Sequence, residues 1–393
     1  MLLYCSYAPA RGIGQGTFAV RFDFYGDTVN ALFDKSCTVT FSGPLSENAI
    51  LYFYQQMENA NYEPFIASLN AYKEKQQLDD WLYYQLIRKA AQFVSPKADN
   101  YLRYTLYKWF FLAKSGYGTT LRIIDDKLLF YVQSDENVYE IPCYTRDGKQ
   151  YVCLNYHDYG NSVNLEKASI TEVSLLQQNA VKSFSYKVSQ MPELNPADYQ
   201  ERDLQFAIND NNYRFKIKLN PQVQTMFANY PVVDYASYFD LPLSRETYES
   251  LVPVLKKNMK GLNVKNGIDY LMRFTRYAFL FEPDTQQFGK EKRLTPEQTL
   301  LYGQSDCEDR AALFFYLVKE IYNLPMIVMA YPQHVTIAVK FDKALGKPII
   351  YNGERYTVCE PTPQKKDLRV GQMMPELSKE TYEVVYSYHP KSK

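Results

Sequence analysis

The chain is poor in several features that would place a protein in a functional class. Its 393 residues contain three histidines, and its 44 basic side chains are balanced by 44 acidic ones. Because no stripe of Lys and Arg could track a phosphate backbone, nucleic acid is not an expected partner. The longest apolar runs, such as 311–318, fall short of the roughly 20 residues that span a bilayer, so no transmembrane helix is expected.

The cysteines are few and are spaced in a way that excludes common metal and redox motifs. They are Cys5, Cys37, Cys143, Cys153, Cys307 and Cys359. No two of them form a CxxC pair, so neither a zinc knuckle nor a thioredoxin motif is supported. The sequence also lacks a metal-ligand cluster and a glycine-rich phosphate loop, and no cofactor is implied.

The first ten residues are apolar and end in an Ala-x-Ala pattern, but they lack a basic region and are short for a signal peptide. They are compatible with the end of a secretion signal that begins upstream. A periplasmic or secreted location is favoured if a signal peptide lies at or upstream of Met1. The sequence leaves the compartment and the oligomeric state open.

Hydrophobic periodicity predicts an α+β protein of two or three domains, since 46% of the residues are hydrophobic and can form substantial cores. Alternation predicts strands at 17–42 and 119–155, and further β structure at 163–220. Apolar residues at intervals of three and four predict helices. The predicted helices are 46–59, 62–75, 78–93, 98–113, 245–259 and 264–281.

One cysteine, one histidine and one acid follow each other in an order that suits thiol catalysis. Cys307 opens a helical pattern, His334 begins a strand 27 positions later, and Glu360 ends another strand after 26 more. Covalent thiol chemistry needs a nucleophile, a base and a group that orients the base. The order therefore predicts a Cys-His-Glu triad.

The residues around Cys307 predict how its helix begins. Ser305 and Glu308 have the spacing of a capping box, which would make Ser305 the N-cap and put Cys307 in the first turn. Unpaired N–H groups and the helix dipole favour a thiolate there. Residues 311–318 are apolar around most of the helix, so a buried central helix is expected, with Asn323 near its end.

Strands are predicted at 326–331 and 334–341, followed by a hairpin at 351–356 that leads to Glu360. His334 would begin the second of these strands. A carboxylate at the end of the hairpin could orient the imidazole and stabilise its cationic form.

The segment 251–362 resembles the transglutaminase-like superfamily of papain-related cysteine enzymes, in particular its bacterial two-domain members. The resemblance rests on three blocks, which read SDCEDRAALFFYLV, PQHVTIAVKF and YTVCEPT. The stretch 288–300 also resembles what precedes the cysteine in bacterial members. The resemblance implies an α+β catalytic domain whose cysteine lies on a central helix packed on an antiparallel sheet.

By this resemblance Cys307 would be the nucleophile, His334 the general base and acid, and Glu360 the orienting acid. The family usually has Asp at the last position, and Glu is one methylene longer, so the geometry of the histidine contact is expected to shift. The backbone N–H of Cys307 is a natural oxyanion donor. Gln304 and Gln333 are candidates for a second donor because they lie nearby in the sequence.

The implied reaction is acyl transfer, in which a thiolate attacks a carboxamide and water or an amine takes the acyl group. Hydrolysis of a peptide or amide bond is favoured because bacterial members of the family are commonly hydrolases. The substrate would be a peptide or protein, with cell-wall peptides among the candidates. Two other interpretations stay open: a cross-linking transglutaminase, and a pseudoenzyme that binds peptides or glycans through some of the 37 tyrosines and 23 phenylalanines.

The earlier part of the chain shares a pattern with the catalytic segment. At an offset of 207 positions the helix at 106–112 matches 313–319, and the strand at 128–132 matches 335–339. We predict that residues from about 46 to 155 are a degenerate copy of the catalytic domain, although two similar helix–strand–strand segments could also arise by coincidence. The positions that correspond to the triad are Asn100, Lys127 and Asn155.

Together these observations predict four segments. Residues 1–45 form an N-terminal β segment, and 46–160 form an α+β domain that contains the possible degenerate repeat. Residues 161–240 are a β-rich connection, and 241–393 are the transglutaminase-like catalytic domain.

Overall fold

A computed structural model describes most of the chain and divides it into two compact units that both mix helices and strands. The described residues are 16–163, 168–174, 182–208, 211–282 and 292–390. The apolar first ten residues and the first part of the stretch 288–300 lie outside them. The first unit holds residues 16–77, 83–135 and the described part of 141–185, and the second holds 78–82, 136–140 and the described part of 186–390.

The α+β class is confirmed. None of the helices in the described ranges has the length and apolar character needed to cross a membrane.

The helices predicted in the first half of the chain are present with small shifts at their ends. They are α1 (Glu47–Asn59), α2 (Glu63–Gln76), α3 (Asp80–Val94) and α4 (Tyr101–Lys114). Two of them begin with side-chain caps: the Ser46 hydroxyl accepts the N–H of Ala49, and the Asn100 carbonyl accepts the N–H of Arg103. Such caps satisfy backbone donors that a helix start leaves unpaired.

Seven strands belong to the first unit. They are β1 (Thr17–Phe24), β2 (Asp27–Asp34), β3 (Thr119–Ile124), β4 (Lys127–Gln133), β6 (Cys143–Arg146), β7 (Lys149–Cys153) and β8 (Ile170–Glu172). The first two pair as a hairpin, and the other five form one antiparallel sheet in the order β6-β7-β4-β3-β8. The two-residue strand β5 (Val138–Tyr139) lies in the second unit, where it pairs with β11 (Val232–Val233).

In the second unit, a long hairpin and several helices precede the cysteine. They are β9 (Gln200–Ile208), β10 (Asn211–Leu219), α5 (Gln222–Met226), α6 (Tyr235–Phe239), α7 (Arg245–Asn258), α8 (Val264–Tyr277), β12 (Leu280–Phe281), α9 (Pro296–Tyr302) and β13 (Gln304–Ser305). The helix predicted at 264–281 thus ends early, because Leu280 and Phe281 pair in parallel with Gln304 and Ser305.

The cysteine helix and a second five-stranded sheet complete this unit. They are α10 (Cys307–Tyr322), β14 (Met326–Tyr331), β15 (His334–Val339), β16 (Ile349–Tyr351), β17 (Glu354–Cys359) and β18 (Glu383–Tyr388). Residues 309–318 of α10 are buried, which confirms the predicted central helix. Asn323 caps its end in the left-handed conformation, with φ of 49°. The sheet order is β16-β17-β15-β14-β18.

The two sheets have the same strand order when each strand is numbered within its own sheet. In both, the first two strands form a tight hairpin, which is β3-β4 in one sheet and β14-β15 in the other. A second hairpin, β6-β7 or β16-β17, pairs on one side of it, and the last strand, β8 or β18, pairs on the other. The second hairpins also share their turn, since Asp147-Gly148 and Asn352-Gly353 all have positive φ. This turn twists with the strands and favours Asn, Asp and Gly. The shared order supports the proposed duplication, which stays a proposal.

Candidate functional site

Cys307 is the first residue of α10, but the predicted cap is wrong. Asp306 is the N-cap, and its side chain accepts the N–H of Asp309 at 3.1 Å. Ser305 pairs in a strand with Phe281, so its backbone is fixed in an extended conformation one residue before the N-cap. The buried Ser305 hydroxyl has no hydrogen-bond partner within the described residues.

The thiol of Cys307 is not poised as a thiolate in this structure. Burial raises the pKa of Cys307 to about 12, and the negative charges of Asp306 and Glu308 act in the same direction. A hydrogen bond from the backbone N–H of Val335 to the sulfur opposes them. The expectation of a lowered pKa is therefore wrong, because desolvation and two adjacent carboxylates outweigh the effect of the helix start.

His334 and Glu360 form the pair that the sequence predicts. The Nε2 atom of His334 lies 2.8 Å from Oε2 of Glu360. The other carboxylate oxygen accepts the N–H of Thr362, also at 2.8 Å. Glu360 is 1% exposed, so water does not compete strongly for its oxygens.

The contact between the thiol and the imidazole is indirect. The sulfur of Cys307 accepts the N–H of Val335, the residue that follows His334. Within the part of the chain that the structure describes, no hydrogen bond joins this sulfur to the ring of His334. The start of α10 and the start of β15 are therefore adjacent.

Two acidic residues that follow the cysteine anchor the helix start. Glu308 accepts hydrogen bonds from the Tyr235 hydroxyl at 3.2 Å and from Arg293 Nε at 2.7 Å. The buried Asp309 accepts the N–H of Leu294 at 2.8 Å. Both carboxylates thus bind neighbouring segments and hold the first turn of α10 in place.

Arg310 fixes the same turn from another side. Its buried guanidinium donates to five backbone carbonyls, those of Thr275, Arg276, Phe279, Leu280 and Ser305. Thr275 and Arg276 lie at the end of α8, Phe279 lies just before β12, Leu280 lies in β12, and Ser305 lies in β13. Arg310 therefore joins the preceding segments to the base of the cysteine helix.

The two candidate oxyanion donors precede Cys307 and His334 in the sequence. Gln304 is half-buried in β13, three residues before Cys307. Gln333 is exposed in the turn between β14 and β15. Their role stays a prediction.

Sequence reasoning missed Arg276, which lies on the buried face of α8. Its Nε donates to the backbone carbonyl of Glu360 at 2.8 Å, and its Nη2 donates to the same oxygen. A buried arginine on the apolar face of an amphipathic helix is unusual, and that position was the available signal.

In the first unit the predicted counterparts lie at the starts of a helix and a strand. Asn100 is the N-cap of α4, as Asp306 is of α10, and Tyr101 is the first helical residue, as Cys307 is. Lys127 opens β4 as His334 opens β15. The correspondence of Asn100 and Lys127 with Cys307 and His334 stays part of the proposed duplication.

Asn155 follows β7 as Glu360 follows β17. Tyr131 pairs with Cys153 and Ala338 pairs with Val358, so Asn155 and Glu360 each lie two residues beyond such a pair. The Asn155 amide donates to the Tyr101 hydroxyl at 2.9 Å, and that hydroxyl donates to Asp158 at 2.9 Å. The start of α4 and the end of β7 in the first unit are therefore joined by a Tyr–Asn hydrogen bond.

No protein-family model matches this chain, and no curated protein matches its sequence. The interpretation of the site therefore depends on the residues and contacts described above.

Proposed function

We propose that the second unit catalyses thiol-dependent acyl transfer at Cys307, with hydrolysis of a peptide or amide bond as the reaction. The observation that carries this proposal is the buried His334–Glu360 pair, at 2.8 Å, next to a cysteine at a helix start. The resemblance to transglutaminase-like enzymes assigns the same three residues. It remains part of the proposal.

The resting nucleophile would be a neutral thiol, because the pKa of Cys307 is raised to about 12. In the first step the sulfur attacks the carbonyl carbon while its proton passes to His334, which acts as a general base. Glu360 stabilises the resulting imidazolium, as the acid of a triad does. Unpaired N–H groups in the first turn of α10 can bind the oxyanion.

The second half of the reaction returns the site to its starting state. The imidazolium gives its proton to the leaving amine, and the carbon–nitrogen bond breaks to leave a thioester on Cys307. Water then attacks the thioester, His334 takes a proton from it, and the carboxylic acid leaves as the thiol is restored. No atom other than those of water and the amide substrate is consumed.

A second candidate function is non-catalytic binding of a peptide or glycan. Two observations favour it: the raised pKa of Cys307, and the lack of a hydrogen bond between its sulfur and His334 within the described residues. In this case the His334–Glu360 pair would serve the structure of the sheet rather than chemistry.

Alkylation with iodoacetamide at pH 7 separates the two functions, with each cysteine followed by mass spectrometry. In an enzyme, His334 should assist the loss of the Cys307 proton, so alkylation of Cys307 should slow in His334→Ala while that of the exposed Cys143 stays the same. Pro332→Ala, in the exposed turn before His334, is a control and should keep the wild-type rate at Cys307. Slow labelling of Cys307 that does not change in His334→Ala would support the binding protein.

The acyl acceptor needs its own measurement. When the protein is incubated with a glutamine-containing protein and a fluorescent primary amine, we expect hydrolysis by water and no incorporation of the amine. Covalent incorporation of the amine, absent in Cys307→Ala, would instead identify a cross-linking transglutaminase.

A further inference from the structure

Arg276 makes contact with the site through the main chain of Glu360. Its side chain is buried, and both Nε and Nη2 donate to the Glu360 carbonyl oxygen, the former at 2.8 Å. Two donors from one rigid guanidinium fix both the position and the direction of that carbonyl. The backbone at Glu360 is thereby held independently of the contacts of its carboxylate.

The remaining nitrogen of Arg276 holds the segment that follows Glu360. Nη1 donates to the Leu368 carbonyl at 2.7 Å and to Asp367 Oδ1 at 2.9 Å. The guanidinium therefore joins the end of β17 to a loop seven or eight residues further along the chain.

The carboxylate of Glu360 needs this support because of its length. Glutamate has one more rotatable bond than aspartate, and ordering it costs more side-chain entropy. Thr362 and His334 each hold one carboxylate oxygen, but both contacts depend on where the Glu360 backbone lies. A fixed carbonyl sets the direction of the Cα–Cβ bond, from which the carboxylate must reach the imidazole.

We propose that Arg276 is a positioning residue, which sets the Glu360–His334 hydrogen bond through the Glu360 carbonyl. The importance of that bond for turnover rests on the proposed function, whereas its geometry does not. Arg276 touches neither the thiol nor the imidazole in the described contacts, and its effect passes through Glu360.

The neighbouring Arg273 offers a matched control. It lies one turn earlier on the same helix and pairs with Asp269 at 2.9 Å and with Asp367 at 2.5 Å. Its contacts are to carboxylates rather than to the Glu360 carbonyl. Arg273→Lys should therefore perturb the same loop and leave the imidazole in place.

The test is the NMR signal of the His334 Nε2 proton in the full chain, assigned by its loss in His334→Gln. In the wild-type protein this proton should be protected from exchange by Glu360. Arg276→Lys keeps the positive charge but loses the two hydrogen bonds to the Glu360 carbonyl. In this variant, exchange of the His334 Nε2 proton should accelerate at least tenfold. Arg273→Lys should retain the wild-type rate. In a Glu360→Gln background, Arg276→Lys should add no further change, since its effect passes through Glu360.

Unchanged exchange in a folded Arg276→Lys variant would overturn the proposal. If that variant does not fold, Arg276→Gln decides instead, because a single amide cannot reproduce the two donors that hold the Glu360 carbonyl: faster exchange supports the proposal and an unchanged rate refutes it. This measurement needs no turnover. A protected proton in a protein without hydrolytic activity would refute the proposed function and leave the role of Arg276 intact.

Discussion

Nε2 of His334 and Oε2 of Glu360 lie 2.8 Å apart. The second oxygen of Glu360 accepts the Thr362 N–H, so the carboxylate has a defined orientation. The glutamate side chain is therefore fixed at both oxygens.

Replacing Glu360 tests whether this contact serves catalysis. We expect Glu360→Gln to lower kcat by about 10²–10⁴-fold, because an amide cannot stabilise the imidazolium. Glu360→Asp should lose less activity, since it keeps the charge and shortens the reach. Steady-state hydrolysis of a peptide substrate measures both changes, and equal activity in all three proteins would remove Glu360 from the mechanism.

Asp306 tests the cause of the raised pKa of Cys307. Asp306→Asn keeps an acceptor for the N–H of Asp309 but removes a negative charge that raises the thiol pKa. The thiolate fraction at a given pH should rise, and alkylation should be faster by about 2–10-fold. The plot of the Cys307 alkylation rate against pH, measured from pH 7 to 10, should keep its shape and move to lower pH. A profile that does not move would mean that burial alone sets the pKa.

Lys108 in α4 predicts a pH dependence of stability. It is 1% exposed, and burial lowers its pKa to about 7. Between pH 7 and about 10.4, the usual value for lysine, the unfolded chain binds one proton more, so the free energy of unfolding should rise with pH. Below pH 7 both states hold the proton, and the cost of burying the ammonium is fully present.

Lys108→Met should remove this slope and stabilise the protein at pH 7 by about 1–4 kcal/mol, because it keeps the aliphatic packing without the charge. The Lys108 ammonium lies 4.6 Å from the Tyr104 ring centre, and loss of this attraction offsets part of the gain. Lys114→Met on the same helix is the control and should not stabilise, since Lys114 pairs with Glu58. Urea unfolding at pH 7 and pH 9 measures these effects.

Gly303 tests how the segment before the cysteine is held. Its φ is +72°, and an added Cβ would lie 1.9 Å from Nη2 of Arg202, which caps α9 through the Leu300 and Leu301 carbonyls. Gly353 also has a positive φ, of +78°, but its Cβ would meet nothing within 4 Å. Gly353→Ala should cost about 1 kcal/mol, and Gly303→Ala about 1–3 kcal/mol more. If thermal unfolding shows that Gly303→Ala and Gly353→Ala lower the stability equally, Arg202 moves aside at no cost in free energy.

Local sequence patterns predicted most individual helices and strands of this chain. The apolar run at 311–318 predicted a buried helix, and the residues at 351–356 predicted a hairpin, because both depend on neighbouring residues. The cap of α10 was predicted one residue too early. The pairing of Ser305 with Phe281 decided it, and that pairing joins residues 24 positions apart.

The electrostatics of the site could not be predicted in the same way. A helix start lowers a thiol pKa only if the thiol stays solvated, whereas burial of Cys307 depends on how distant segments pack. The role of Arg276 was missed for the same reason, since it reaches a carbonyl 84 positions away.

The sequence by itself determined which groups are available: one cysteine at a helix start, one histidine at a strand start and one acid at a strand end. It also determined most elements, since periodicity and turn residues act locally. Only the tertiary structure decided that His334 meets Glu360, that burial raises the pKa of the Cys307 thiol, and that Arg276 binds the Glu360 carbonyl. These outcomes depend on desolvation and on contacts between residues far apart in the chain, which local patterns do not contain.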